Sequence, residues 1–308
     1  MIQYLYLGRV DYAEGLQLQA EMAVLVAEGR IPNLLLLLEH PPVLTLGRNA
    51  NRSNILASEE LLARRGVTLH EINRGGDVTY HGPGQLIGYP IFDLRTLRNP
   101  GAGGRLGPVD FVRLLEEALI RLCAEFAVPA GRICGLTGVW CPAGGSSLDE
   151  SCARTAKDQP NGERKIAAIG IHVARGITSH GFAFNVTTDL AGFALINPCG
   201  LTGRPVTSLE REVAHPEELP SLESIAHRAA RHFGIVFDRQ VLAVESLAAL
   251  RAGAAAKPVS SPAIAPASAP PFPAPAFPAP AFPASDTPLQ IPPEIERLQQ
   301  KKDRPIRA

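Results

Sequence analysis

Three short stretches hold residues able to do acyl or proton chemistry. In INPCGL, Cys199 lies between Pro198 and Gly200, a setting that presents a side chain instead of burying it. A thiol attacks carbonyls as its thiolate, a form favoured by a lysine or histidine close by. In RKIAAIGIHV, Lys165 heads a strand-like run of small and apolar residues. A lysine there is ordinarily a solvated charge at a sheet edge. Ala167, Ala168 and Gly170 nevertheless leave room for something slender to lie along the strand. In RGGDVTYHGPGQ, Gly75, Gly76, Gly82 and Gly84 surround His81 with backbone freedom and permit close approach to a ligand. The same stretch reads equally as a strand–loop–strand corner with a structural histidine.

Several other chemistries lack their residues. Neither GxGxxG nor GxxxxGK[ST] occurs, so neither standard phosphate fingerprint applies. His40, His81, His172 and His180 form no HxH or HExxH pair, which leaves a metal site unsupported. His172 and His180 alternate with apolar residues, as core or hydrogen-bonded histidines do. The five cysteines are irregularly spaced without a CxxC, against a zinc ribbon or a thioredoxin-type motif. Cys123, Cys134, Cys141 and Cys152 read as free thiols of a reducing compartment. Thirty basic residues balance thirty acidic ones, so the chain has no general attraction to nucleic acid or anionic membrane. The opening MIQYLYLGRVDYAEG lacks the pattern of a secretory signal, and the run Leu34 to Leu38 is too short to span a bilayer. The expectation is a soluble, cytoplasmic protein.

The elements that must position these residues alternate between strand and helix patterns. IQYLYL, NLLLLLEH, VTLHEI, QLIGYPIFDL, LTGVWC, KIAAIGIHVA and GITSHGFAFNV read as strands, the last two joined by a tight turn. Residues 11 to 28 and 109 to 127 carry apolar residues at helical spacing. SEELLARRG begins on a capping Ser58 and ends at Gly66, a short helix. SLESIAHRAARHFG and DRQVLAVESLAALRAG read as closing helices. Mixed connection lengths predict an α+β fold, a mixed β-sheet with packed helices. Residues 1 to 252 form the folded body, interrupted by a polar insert over about 142–163 that reads as a long exposed loop. Residues 257 to 293 hold 13 of the 28 prolines, so 253–308 is expected to be a disordered, Pro/Ala-rich tail.

Taken in order, LLLLEHPPVLTLGR, RGGDVTYHGPGQLIGYPI, GVW, KIAAIGIHV, SHGFAFNV, INPCGL and VTSL resemble the octanoyl (lipoyl) transferase family, within the biotin and lipoate protein ligase superfamily. The likeness covers residues 1 to about 250. It implies that Cys199 is the acyl-accepting nucleophile and Lys165 the residue that lowers its pKa and shuttles protons. It also implies an acyl site lined by Arg74, Gly75, Gly76, Asp77, Val78, Thr79, Tyr80 and His81, by Ala168, Ile169 and Gly170, and by Gly181, Phe182 and Ala183. Gly200 or Leu201 would supply oxyanion-stabilising amides. The implied donor is octanoyl-acyl carrier protein. The implied acceptors are lipoyl domains of 2-oxoacid dehydrogenase complexes and the glycine cleavage H protein, with no cofactor and no metal. Two other readings exist: an ATP-dependent lipoate or biotin ligase, which would need a GRG-type adenylate loop, and a non-catalytic binder of carrier domains.

Overall fold

Five consecutive leucines commit the most apolar segment of the chain to a strand buried on both faces. Leu35 and Leu37 join one core and Leu34, Leu36 and Leu38 another, all fully buried. Alternation across the pleat sends one set to each side, so an unbroken apolar run is what a central strand requires. Each buried leucine contributes about 1.5–3 kcal/mol of transfer free energy.

The computed structural model describes residues 1–101, 103–143, 148, 162–197 and 205–256. The first elements are β1 (Ile2–Arg9), α1 (Tyr12–Ala27), β2 (Asn33–Glu39), β3 (Val43–Leu46), α2 (Glu59–Arg64), β4 (Thr68–Glu71), β5 (Val78–His81) and β6 (Gln85–Ile91). A two-stranded hairpin, β7 (Arg98–Asn99) and β8 (Gly104–Arg105), precedes α3 (Pro108–Glu125). There follow β9 (Gly131–Ile133), β10 (Leu136–Cys141), β11 (Arg164–Ala174) and β12 (Ile177–Asn185). The described chain ends with α4 (Leu209–Glu212), α5 (Leu222–Phe237), β13 (Val241–Ala243) and α6 (Leu247–Ala256).

Eight strands form one mixed sheet in the order β13-β1-β2-β6-β12-β11-β10-β9, parallel at the β13-β1-β2 edge and antiparallel elsewhere. The expected α+β class is the observed one. On one face, Phe111, Leu115 and Leu122 of α3 and Phe233 and Phe237 of α5 pack against Leu86, Phe182 and Phe184. On the other, Leu18, Met22, Leu25 and Val26 of α1 cover Leu34, Leu36 and Ile87. A second sheet, β4-β3-β5, has its own small core around Leu44, Leu62 and Phe193.

Several sequence expectations change here. DRQVLAVESLAALRAG is not one helix: Val241–Ala243 pairs in parallel with Ile2–Tyr4, and only Leu247 onward is helical. Asp238 takes a left-handed conformation that ends α5 and turns the chain toward the sheet edge. The helix α6 then runs to Ala256, past residue 252, burying Leu250 and Ala254 against the α1 side. Cys134 is disulfide-bonded, not free; it sits in the half-exposed turn between β9 and β10. Most of the polar insert, with Cys152, and the proline-rich tail lie outside the described residues. Among the described residues no helix is long and apolar enough to cross a membrane.

Candidate active site

A cavity of about 360 Å³ lies where the small sheet folds over the large one. Its floor follows from strand register. Ile87 of β6 pairs with Ala183 of β12, Ala183 with Ala168 of β11, and Gly181 with Gly170. A row of small side chains therefore leaves an open trough across three strands. Its roof is the segment Arg74–Thr79, whose Gly75 amide donates to the Ile171 carbonyl at 3.0 Å. That approach needs a glycine opposite: a Cβ at Gly170 would stand 2.7 Å from the Gly75 carbonyl oxygen. Gly76 in the roof and Gly84 beyond it take positive φ, whereas Gly75 and Gly82 do not.

The cavity is lined by Arg74, Gly75, Gly76, Asp77, Val78, Thr79 and His81, by Ala168, Ile169 and Gly170, by Gly181, Phe182 and Ala183, and by Lys165. Tyr80 is the exception among the expected lining residues. Alternation along β5 sends its ring to the other side, where it meets Phe193 edge-on at 5.5 Å. Tyr12, Ile87, Tyr89, Leu136 and His180 also line the cavity, beyond those expected from the sequence. Tyr12, Ile87 and Tyr89 give little sequence signal, because α1 and β6 read as ordinary core elements.

Arg74 is buried at the cavity wall, with its guanidinium fixed by Thr45. It donates to the Thr45 carbonyl at 2.7 Å and to the Thr45 hydroxyl at 2.9 and 3.2 Å. Around it lies a neutral polar end. Tyr12 stacks on His81 with centroids 6.2 Å apart, and the His40 ring stands 6.3 Å from His81. His40 donates through Nδ1 to the Val10 carbonyl at 2.7 Å, leaving Nε2 to accept from the Tyr89 hydroxyl at 2.7 Å. Burial holds His40 at about 4 and His81, with His40 adding repulsion, at about 3. His180, lowered to about 4 by burial and then by Arg74, bonds Asn73 and sits at φ 56°. All three are uncharged imidazoles at neutral pH. Among the described residues no group of three His, Cys, Asp or Glu side chains is placed to hold a metal ion.

Lys165 is not an edge charge. Its strand lies inside the sheet, between β12 and β10. Trp140 pairs directly with it across β10, and the ammonium stands 4.5 Å from the centre of the Trp140 ring. Gly138 makes space for the lysine stem: a Cβ there would be 2.6 Å from the Ala167 carbonyl and 3.4 Å from Lys165 Cε. The fully buried Glu116 fixes this part of β10, accepting from the Gly138 amide at 3.0 Å and from Arg113 at 2.7 Å. On the opposite side, Lys165 N donates to the Pro205 carbonyl and Thr207 N to the Lys165 carbonyl, both at 2.9 Å.

A buried amide chain joins this region to His81. The imidazole donates to Gln85 Oε1 at 2.8 Å, Gln85 Nε2 to Asn185 Oδ1 at 2.8 Å, and Asn185 Nδ2 to the Thr207 carbonyl at 2.8 Å. Cys199, Gly200 and Leu201 lie outside the described residues. Of the other thiols, Cys123 and Cys141 are buried, which pushes both up, Cys141 to about 12, and disfavours the thiolate.

Residues 11–234 match the family model described as the lipoyl protein ligase A/B catalytic domain. The chain belongs to that family. A relative named octanoyltransferase from Acidobacterium capsulatum is 58% identical over 246 residues, covering 80% of this chain and 94% of the relative. Others of the same name from Koribacter versatilis and Solibacter usitatus are 51% and 47% identical, covering 80% and 79% of this chain and 88% and 96% of theirs. Among solved structures, a bi-partite lipoate protein ligase from Thermoplasma acidophilum superposes with TM-score 0.56 at 15% identity, covering 83% of this chain and 91% of that one. A lipoate-protein ligase A bound with ATP gives 0.55 at 16%, covering 83% and 93%. At such identity the shared feature is the fold.

Proposed function

We propose that this protein is an acyltransferase that moves an octanoyl group from acyl carrier protein to a specific lysine of a lipoyl domain. One observation supports it most: Lys165 opens from an internal strand into a trough paved by Ala168, Gly170, Gly181 and Ala183. A slender saturated chain fits that paving, and an ammonium at its border fits a thiolate or a proton transfer. The names of relatives at 47–58% identity agree with octanoyl transfer, whereas the ATP-bound ligase shares the fold at 16%. Membership of the lipoyl ligase family supports lipoyl domains as acceptors. Those of the 2-oxoacid dehydrogenase complexes and the glycine cleavage H protein are the candidates.

The reaction has two steps. Cys199 thiolate attacks the carrier thioester carbonyl; the carbon–sulfur bond to phosphopantetheine breaks, and that sulfur leaves as the thiol, taking its proton from the Lys165 ammonium. The acceptor lysine, as the free amine, then attacks the octanoyl-cysteine. An amide forms, the Cys199 thiolate departs, and the proton lost by the amine passes to Lys165. Lys165 is the group that favours the Cys199 thiolate before the first step. Thioester exchange is nearly balanced and amide formation is downhill, so no nucleotide is consumed. Transfer from octanoyl carrier protein to a lipoyl domain should therefore proceed equally in ATP-depleted buffer. Modification that instead requires free octanoate, ATP and magnesium would establish the ligase reading.

A further inference from the structure

Asp77 lines the acyl cavity, yet its carboxylate is spent elsewhere. Oδ1 accepts from the Asn51 amide at 3.0 Å and from the Val78 amide at 2.8 Å, and Oδ2 accepts from Asn54 Nδ2 at 2.5 Å. The held segment has a second task. The Asn54 carbonyl accepts from the Asn197 amide at 2.7 Å, and the Leu195 carbonyl accepts from the amides of Leu56 and Ala57 at 2.9 and 3.2 Å. An antiparallel bridge between Ile55 and Ile196 completes the pairing. Leu195–Asn197 is the chain that leads into Cys199, two residues further on.

We infer that Asp77 is a positioning residue: through Asn54 it fixes the platform on which the approach to Cys199 is laid. The inference rests on the reading of Cys199 as the nucleophile. Asp77 then belongs to both parts of the reaction site, since its backbone roofs the acyl trough and its side chain holds the segment that pairs with Leu195–Asn197. The carboxylate acts here wholly as an acceptor. Donors reach it from two directions, the Asn51 and Val78 amides at Oδ1 and the Asn54 side chain at Oδ2. Asparagine could keep these contacts if the Asn54 amide turned over, whereas alanine removes them all. The backbone is laced in the same way, with the Gly47 amide donating to the Asp77 carbonyl and the Arg48 amide to the Arg74 carbonyl at 3.2 and 3.0 Å.

The test is a double-mutant cycle on Asp77→Ala and Asn54→Ala, read by single-turnover acylation of the full-length enzyme with octanoyl carrier protein. Intact mass gives the rate, peptide mapping the acylated residue, and an octanoyl ligand titrated calorimetrically the cavity affinity. Each single variant should slow acylation by roughly tenfold to a hundredfold, the scale of an ångström-sized misplacement of a reacting group. The acyl group should still map to Cys199, cavity affinity should stay within about twofold, and the double variant should be no slower than the worse single one. An Asp77→Ala variant that loses cavity affinity while Asn54→Ala acylates normally would show Asp77 to be an acyl-site ligand and overturn the inference. Additive losses, or acylation at parental rate in both, would overturn it as well. A parent protein acylated on another residue would instead refute the reading of Cys199.

Discussion

Replacing Gly170 with alanine tests whether the acyl trough depends on a missing side chain. The new Cβ would lie 2.7 Å from the Gly75 carbonyl oxygen and 3.4 Å from Arg74 Cδ. Carbon–oxygen contacts settle at about 3.3 Å or more, so the roof or β11 must move by roughly 0.6 Å. The roof is not free to lift, because the Gly75 amide is bonded to Ile171 and Arg74 is anchored on Thr45. Overpacking of this kind costs about 1–3 kcal/mol, offset in part by the ~0.4–1 kcal/mol that alanine contributes through a less flexible unfolded chain. The expected net loss is about 1–2 kcal/mol, visible as a lower urea midpoint at unchanged slope. Octanoyl transfer should fall with it, because the roof that closes the trough is displaced. Gly75→Ala is the matched control: its Cβ would meet only the Ile171 carbonyl at 3.4 Å, an ordinary contact, and stability should change by less than about 0.5 kcal/mol. A Gly170→Ala variant as stable and as active as the parent would refute the close-approach argument.

Acid should weaken the fold before any carboxylate titrates. His40, His81 and His180 are lowered to about 4, 3 and 4, while the unfolded chain takes up protons near pH 6.5. Their stabilisation is complete above pH 6.5 and declines as pH falls below it, by up to about 4 kcal/mol in all between pH 7 and 5.5. Urea midpoints measured across that interval should drop, and a flat profile would contradict burial of neutral imidazoles. At Trp140, phenylalanine keeps an aromatic face for the Lys165 ammonium and leucine does not. The leucine variant should transfer octanoyl about 2- to 30-fold more slowly, from a cation–π interaction of ~0.5–2 kcal/mol, with the phenylalanine variant between it and the parent. Equal rates for the two variants would remove the ring from the account.

Segments whose pattern reflects one local environment are legible in the amino-acid sequence alone. The leucine run of β2, the amphipathic α3 and the hairpin of β11 and β12 all belong to that group. What escapes depends on pairing between distant parts of the chain. Val241–Ala243 is too short for its period to distinguish strand from helix, and becomes a strand because Ile2–Tyr4 offers an edge. Val78–His81 reads as turns among glycines, although it pairs antiparallel with Val43–Leu46. At the site, the small residues of β11 and β12 announce an open trough, since alanine and glycine mark missing volume in any context. Lys165 is ambiguous in sequence because only the neighbours β12 and β10 turn its strand from edge to interior. Tyr12 and Tyr89 do not read as cavity walls, because their contacts with His81 and His40 join α1, β2, β5 and β6.

Catalysis through an acyl-enzyme on Cys199 leaves a trace in the mass of the protein. The most direct measurement is intact mass, with peptide mapping, after the full-length protein is mixed with octanoyl carrier protein and no acceptor. One added octanoyl group is expected, located on Cys199, removed by hydroxylamine and absent in Cys199→Ala. Burial already disfavours the thiolates of Cys123 and Cys141. An unmodified protein that still supports transfer, or an acyl group found on Cys123, Cys134, Cys141 or Cys152, would contradict catalysis through Cys199.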